Sequence, residues 1–453
     1  MTKSIAFTKE TLIIFYLFSG VCLGETFYIS QEGNDNNSGM SWVQAWRTMK
    51  KAGSTAKAGD ELIIRKGSQP YKYLPVKNSG KSGLPIIFRG EHKDNPPVLS
   101  GAVEEIKWET SSVEGVWKVN TSAKPVYVVE DGKALIKASS PQCTDGFWYW
   151  ESNILYYRPS KSNPSEHTVH RTVNGGGVHI NNQSWIVVRD IKFLVGAGAA
   201  INITNGSNNL VQNIHVKWYW RGVNIMGKGA SNIIENSLIE NNREGIYVWK
   251  GAANNTIRNN KIIHNGNAPI WPFVEGYDRS GIDIGHAGPP TRGNLIENNE
   301  LAFNGGNNSD AAIIAFNAPE TLIKNNYVHE NYSSGINVTI NSDSTKVIGN
   351  IVENNGAGAV TAGMKGIFGL SVRRSSNVLV MNNTIIGNHV SSDSRWKGKG
   401  LGPKGGLDLQ GNRGDIMRDI IFRNNRVSDT NGGPDIFISG KPSLPGFINE
   451  SNN

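Results

Sequence analysis

The segment Gly222–Asn259, GVNIMGKGASNIIENSLIENNREGIYVWKGAANNTIRN, contains one pattern twice. Gly222-Val-Asn-Ile225 is followed by Ile234-Glu-Asn236, and Gly245-Ile-Tyr-Val248 by Ile257-Arg-Asn259. Both copies read Gly, apolar, any, apolar, a turn, then an apolar residue two before Asn. The pattern recurs at Gly281-Ile-Asp-Ile284 with Ile296-Glu-Asn298, and at Gly335-Ile-Asn-Val338 with Ile348-Gly-Asn350. Its last polar position falls at Asp190, Asn213, Asn236, Asn259, Asn298, Asn325, Asn350, Asn382 and Asn424. Successive steps are 23, 23, 23, 39, 27, 25, 32 and 42 residues. A fixed minimum with only longer exceptions marks a repeating unit that carries insertions.

The apolar segments are short, β-branched and alternating, which is the period of a strand. Gly and Asn separate them, and both tolerate the left-handed backbone of a tight corner. Stacking the units places each Asn about 4.8 Å from the last, so inward Asn side chains are expected to bond as a ladder. A leucine-rich horseshoe would need repeated helices, and a propeller about forty residues per blade with antiparallel hairpins. The expectation is an all-β chain: a right-handed parallel β-helix (solenoid) with an N-terminal capping helix and an inserted antiparallel β module.

The rest of the 453-residue chain fits around this core. Lys3, Lys9 and the short apolar run Thr11–Phe18 read as a signal peptide over 1–24, with Glu25 the mature start. A lipoprotein reading needs a small residue before Cys22, and Val21 fits poorly. Residues 25–102 read as the cap and first rungs, with an amphipathic helix over Trp42–Ala58. Residues 103–172 break the pattern and read as β-hairpins packed on the coil. Residues 173–440 form the main coil, and 441–453 a loose polar tail. One mature thiol, Cys143, excludes a disulfide framework and a cysteine-rich metal site. No later stretch reaches transmembrane length, so a soluble exported monomer is expected. The net charge of +8 favours a polyanion, which could be nucleic acid, anionic lipid or an acidic polysaccharide; no nucleic-acid-binding motif is found, which makes nucleic acid the weakest of these, and an acidic polysaccharide is the expected partner.

The opening Phe27-Tyr-Ile-Ser-Gln-Glu-Gly-Asn-Asp35, the Asp60-Glu-Leu-Ile-Ile64 strand, Gly83-Leu-Pro-Ile-Ile-Phe-Arg-Gly90 and the Phe147–Pro159 hairpin resemble secreted pectate-lyase-like β-helix proteins. The resemblance implies a carbohydrate-active protein without specifying the reaction, since that superfamily holds lyases, hydrolases, epimerases, esterases and tailspikes. The Asp-Pro-His-Asp pattern of alginate epimerases and the Gly-His-Gly pattern of polygalacturonases are absent.

The middle residue of Gly-apolar-any-apolar points outward, so stacked units make a surface column: His179, Asn202, Asn224, Tyr247, Asp283, Ile314, Asn337, Ser371 and Asp408. The next column includes Thr204, Met226, Trp249, Gly285, Phe316, Thr339, Arg373 and Gln410. The 39-residue step places about sixteen extra residues around Asp283, mostly in Gly266–Arg279, with Trp271, Phe273, Glu275, Tyr277, Asp278 and Arg279. For elimination at a uronate, Arg279 or Lys250 would neutralise the carboxylate or abstract the proton, with His286 and Tyr247 as further bases and Asp283 beside them. Glu275, Asp278 and Asp283 are also oxygen donors suited to Ca²⁺. Trp249, Trp271, Tyr277, Phe316, Asn224, Asn337 and Arg373 are the expected sugar contacts. A hydrolase would instead pair Asp283 with Glu275, Asp278 or Asp310, and a third reading is a non-catalytic carbohydrate-binding or adhesion protein. Each residue also has an ordinary role: Asp283 as a solvated strand residue, Glu275 and Asp278 as surface charges, His286 as a turn residue, and Trp249 as a ring covered by the 266–279 loop.

Overall fold

The computed structural model describes residues 24–161, 163–266, 280–286, 288–305, 311–356, 368–388, 405–411, 414–428, 436–439 and 442–452. It is a parallel β-helix with three strands per rung. One rung is Arg221–Met226, Ile233–Glu235 and Leu238–Glu240; the next is Glu244–Trp249, Thr256–Arg258 and Lys261–Ile263. Each strand pairs in parallel with its counterpart one rung on. The first strand of each of these rungs belongs to an eleven-stranded sheet that runs from Leu74–Val76 to Ile436–Ser439. Alternation decides the core: Val223 and Ile225, Ile246 and Val248, Ile282 and Ile284, and Ile336 and Val338 all point inward and are fully buried.

Three ladders of buried asparagine line the inner corners. One runs Asn209, Asn232, Asn255 and Asn294. Another runs Asn260, Asn299, Asn326, Asn350, Asn383 and Asn425. The third runs Asn242, Asn265, Asn304, Asn331, Asn355 and Asn388. Each carboxamide donates to the next one's oxygen, and that oxygen also accepts the backbone N–H of the residue before it in the ladder, as Asn326 Oδ1 does from Asn299 at 3.0 Å. The ladders satisfy backbone groups that the corners leave without a strand partner.

The expected ladder is displaced by one residue. Asn213, Asn236, Asn259, Asn298 and Asn325 have φ of 50–55° and form the corner itself; the following residue points inward. At Asn350 the corner is Gly349 (φ 67°), and Asn350 belongs to the ladder. The ladder steps there are 24 and 33 residues rather than 25 and 32. A left-handed residue reverses the chain, so its side chain projects away from the core and its successor turns in.

The N-terminal helix is shorter than expected, at Met49–Thr55. Thr48 caps it by accepting from Lys51 N, and Asp35 binds the backbone N–H of Arg47 and Thr48. Trp46 lies outside the helix, bridged to Ile29 and stacked on Phe27 at 4.5 Å. Met49 and Ala52 are buried, and a Cβ on Gly53 would lie 2.2 Å from the Pro75 carbonyl, so the helix sits directly against the first strand of the long sheet. The far end also differs. Ile448–Asn452 is a strand paired with Ile421–Ser428, not a loose tail, and Phe447 packs edge-on against Phe422 at 5.6 Å.

Residues 103–172 leave the coil between two rungs. Val98–Leu99 pairs with Lys192–Leu194, and Leu74–Val76 with Val178–Asn181, so the coil resumes in register. The excursion forms a four-stranded and a five-stranded sheet, mainly antiparallel, around Val128, Leu135, Trp148, Leu155, Tyr157 and Val169. It docks through Tyr127 and Trp218, and Tyr127 Oη donates to the Tyr219 carbonyl at 2.6 Å. Cys143 is a buried free thiol within it.

Replacing Asn299 by Ala removes the acceptor of the buried Asn260 backbone N–H and of one of its two side-chain hydrogen bonds, leaving the carboxamide only its bond to the Ile234 carbonyl. The expected loss is at least about 2 kcal/mol in chemical denaturation, whereas Asn298→Ala, at the corner, is expected to cost less.

Candidate functional site

The outward column is in register: Asn202 pairs with Asn224, Asn224 with Tyr247, Tyr247 with Asp283, Asp283 with Ile314 and Ile314 with Asn337. It forms the floor of a site rather than an open face, since Asn224, Tyr247 and Asp283 are 3%, 8% and 2% exposed.

The side chains converge on Tyr247. Its ring lies 5.2 Å from Trp249 and 5.9 Å from the imidazole of His286. His286 Nε2 is 3.0 Å from Asp283 Oδ2, and its ring stacks on Phe316 at 5.0 Å and 4°. The turn behind this contact is built by Gly285 (φ 112°) and His286 (φ 77°). A Cβ on Gly285 would meet the Phe316 carbonyl oxygen at 1.6 Å, so only glycine lets the strands close here. Trp249 Nε1 donates to Asn224 Oδ1 at 3.0 Å, and the exposed Lys250 holds its ammonium 4.0 Å from the Trp249 ring centroid.

Arg221 and Glu244 complete the group, and the sequence reading missed both. Arg221 Nε lies 2.5 Å from Glu244 Oε2, and its guanidinium is 4.3 Å from the Tyr247 ring and 5.4 Å from Trp249. They precede Gly222 and Gly245, one position outside the repeat template. The available signal was two opposite charges at the same place in consecutive 23-residue units.

Among the sequence-derived candidates, Asn224, Tyr247, Trp249, Lys250, Asp283, His286 and Phe316 therefore come together. Asn337 lies two strands beyond Asp283, and Arg373 three strands beyond Gly285, so both fall outside the cluster. Trp271, Glu275, Tyr277, Asp278, Arg279 and Asp310 lie outside the described residues. Among the described residues one trio has metal-ligand spacing, Glu130, Asp131 and His167. There His167 Nδ1 contacts Asp131 at 2.7 Å and Nε2 the Lys161 carbonyl at 2.8 Å. These two hydrogen bonds hold the His167 pKa above its ordinary value, and with both nitrogens engaged the trio is an ion pair rather than a ligand set.

Residues 176–306 and 274–444 match the family model described as "Right handed beta helix region". The chain belongs to the right-handed β-helix family. A Bacillus subtilis (strain 168) relative, "Uncharacterized protein YwoF", is 34% identical over 87 residues, which span 19% of this chain and 18% of that protein. The chain thus matches less than a fifth of that relative's length. Among solved structures, the complex of XylC with xylose superimposes with TM-score 0.65 at 12% identity, covering 92% of this chain and 86% of that one. A structure described as "Glycoside hydrolase" gives 0.57 at 10% identity, covering 94% and 97%. At these identities the likeness is one of fold. No helix among the described residues is long and apolar enough to cross a membrane.

Within this β-helix the column carries a second buried acid, Asp408, in the strand paired with Phe368–Arg373. Burial raises its pKa to about 7, against the lowering effect of the Ser371 hydroxyl that donates to it at 3.0 Å. A carboxyl with a raised native pKa binds more protons folded than unfolded, so its contribution to stability declines as pH rises from the ordinary carboxylate range to about 7. Asp408→Asn is expected to gain thermal midpoint relative to the parent across that window and to level off above it. A difference that stays constant with pH overturns the assignment.

Proposed function

We propose that this β-helix is a carbohydrate-active enzyme that cleaves a uronate-containing polysaccharide by β-elimination. The observation that carries the reading is the contact between the buried Asp283 carboxylate and His286, beside Tyr247 and among stacked aromatic rings. Carboxylate and imidazole at 3.0 Å suit a general base, because Asp283 stabilises the imidazolium formed on proton abstraction. The net charge of +8 and the exposed Lys250 ammonium at the ring cluster favour an anionic substrate, the Arg221 charge being offset by Glu244. The xylose complex and the glycoside hydrolase that share the fold add support for a sugar ligand.

In the proposed reaction Trp249 stacks on a sugar ring and the Lys250 ammonium offsets the uronate carboxylate. His286 takes the proton on C5. That electron pair forms the C4–C5 double bond as the C4–O bond breaks, and Tyr247 gives its phenolic proton to the leaving oxygen. The products are an unsaturated uronate and a new reducing end, and solvent returns the proton from His286 to Tyr247. Arg221, held by Glu244, orients the Tyr247 ring. Arg279, and a calcium ion at Glu275 and Asp278, remain proposals from the sequence; activity unchanged by a chelator would remove the ion.

The second reading is a glycoside hydrolase, favoured by Glu244 as a second carboxylate on the strand next to Asp283. Incubation with pectate, alginate and glycosaminoglycans separates the two. Elimination yields ultraviolet-absorbing ends in proportion to reducing ends; hydrolysis yields reducing ends alone and would sink the lyase. Lack of both products with every polymer would favour a binding protein. In an active enzyme, His286→Ala is expected to lower kcat by about 10²-fold or more with little change in KM. Trp249→Ala is expected to raise KM by roughly tenfold.

A further inference from the structure

The same outward face continues toward the N-terminal end, beyond the residues used above. A cavity of about 340 Å³ opens there, lined by Tyr73, Lys77, His179, Gln183, Asn202 and Thr204 among others. Tyr73 remains 39% exposed, although its ring packs edge-on against His179 at 4.7 Å. The lining contains no acid, and Lys77 is exposed. Burial holds the His179 pKa below its ordinary value, so near neutral pH its imidazole is uncharged and suited to hydroxyl groups.

The cavity is continuous with the Tyr247 cluster through one chain of side chains. Trp249 Nε1 donates to Asn224 Oδ1, Asn224 Nδ2 donates to Asn202 Oδ1 at 2.6 Å, and Asn202 Nδ2 donates to Thr204 Oγ1 at 3.3 Å. Asn202 and Thr204 are themselves walls of the cavity. His179, Asn202, Asn224, Tyr247 and Asp283 are neighbours in consecutive strands. The four spacings place the cavity about 19 Å from Asp283 at ~4.8 Å each. A sugar chain reaching both ends is therefore several pyranose units long.

We propose that the Tyr73–His179 cavity is a distal sugar subsite, which takes a pyranose ring of an extended polysaccharide whose reacting unit lies at Tyr247 and His286. Tyr73 offers the stacking face, His179 and Asn202 meet hydroxyls, and Lys77 meets a carboxylate when the unit is a uronate. The size, polarity and lack of acid fit such an occupant. The proposal rests on the reading of this face as a polysaccharide groove. It adds that the enzyme selects long chains and engages them far from the bond it breaks.

The test is calorimetric binding to the full chain carrying His286→Ala, which keeps substrate intact. The probes are disaccharides and longer oligomers of galacturonate, mannuronate and neutral xylose. Adding Tyr73→Ala is expected to weaken the longer oligomers roughly tenfold and leave disaccharides unchanged, with Tyr73→Trp restoring binding. Lys77→Gln is expected to weaken uronate oligomers and not xylose oligomers. An unchanged thermal midpoint shows that the exposed Tyr73 position tolerates substitution. Equal affinity of the Tyr73→Ala protein for long oligomers overturns the subsite. Tyr73-dependent binding of xylose oligomers alone keeps the subsite and removes the acidic substrate. No binding of any oligomer overturns both.

Discussion

Stacking parallel strands at one fixed spacing is the constraint on which the rest of this structure depends. Every side chain on a rung must tolerate its counterpart above and below, about 4.8 Å away. Inward positions meet this with Ile and Val, which fill the core without leaving polar atoms unmatched. The corners meet it with Asn, whose carboxamide donates to the next rung while its oxygen receives from the previous one. A rung can lengthen by many residues at a corner loop without disturbing its neighbours, provided the ladder residue returns to its place. Asn260 and Asn299 are 39 positions apart and still bond at 3.1 Å.

That tolerance is also how the fold acquires a site. Outward columns repeat the same spacing without the requirement for uniform apolar residues. Tyr247 above Asn224, and Asp283 above Tyr247, put unlike groups at neighbouring points on a rigid sheet. The turn at Gly285 and His286 then folds an imidazole back over the column, and Phe316 holds it flat. The result is a row of rings and polar groups facing one way. A rigid row suits an extended polymer better than a small molecule, because its recognition points are spread along the coil axis. The Arg221–Glu244 pair sits at the edge of this row, where its charges meet rings instead of the core.

The inserted sheets show the same principle. They form their own small core around Trp148, Leu155 and Tyr157, and touch the coil through Tyr127 and Trp218. The coil closes beneath them because the Gly101 carbonyl accepts the N–H groups of Val173 and Asn174, which joins the two sides of the excursion.

The period-two alternation and the 23-residue step determined the fold and the outward column from sequence alone, because each rests on a local rule repeated many times. Asn224, Tyr247, Asp283 and Phe316 could be placed on one face for that reason. The ladder lies one residue beyond the repeat's Asn at every such corner but that of Asn350, because a left-handed Asn and an inward Asn look alike in a string; only the backbone angles distinguish Asn298 from Asn299. The helix length at Met49 and the strand at Ile448 depended on partners distant in sequence, Asp35 and Ile421. Arg221 and Glu244 were invisible to the template because their role is a pairing across rungs, not a position within one. The contact of His286 with Asp283 was likewise decided by tertiary structure, since it requires a glycine turn closed against the Phe316 carbonyl of the following rung.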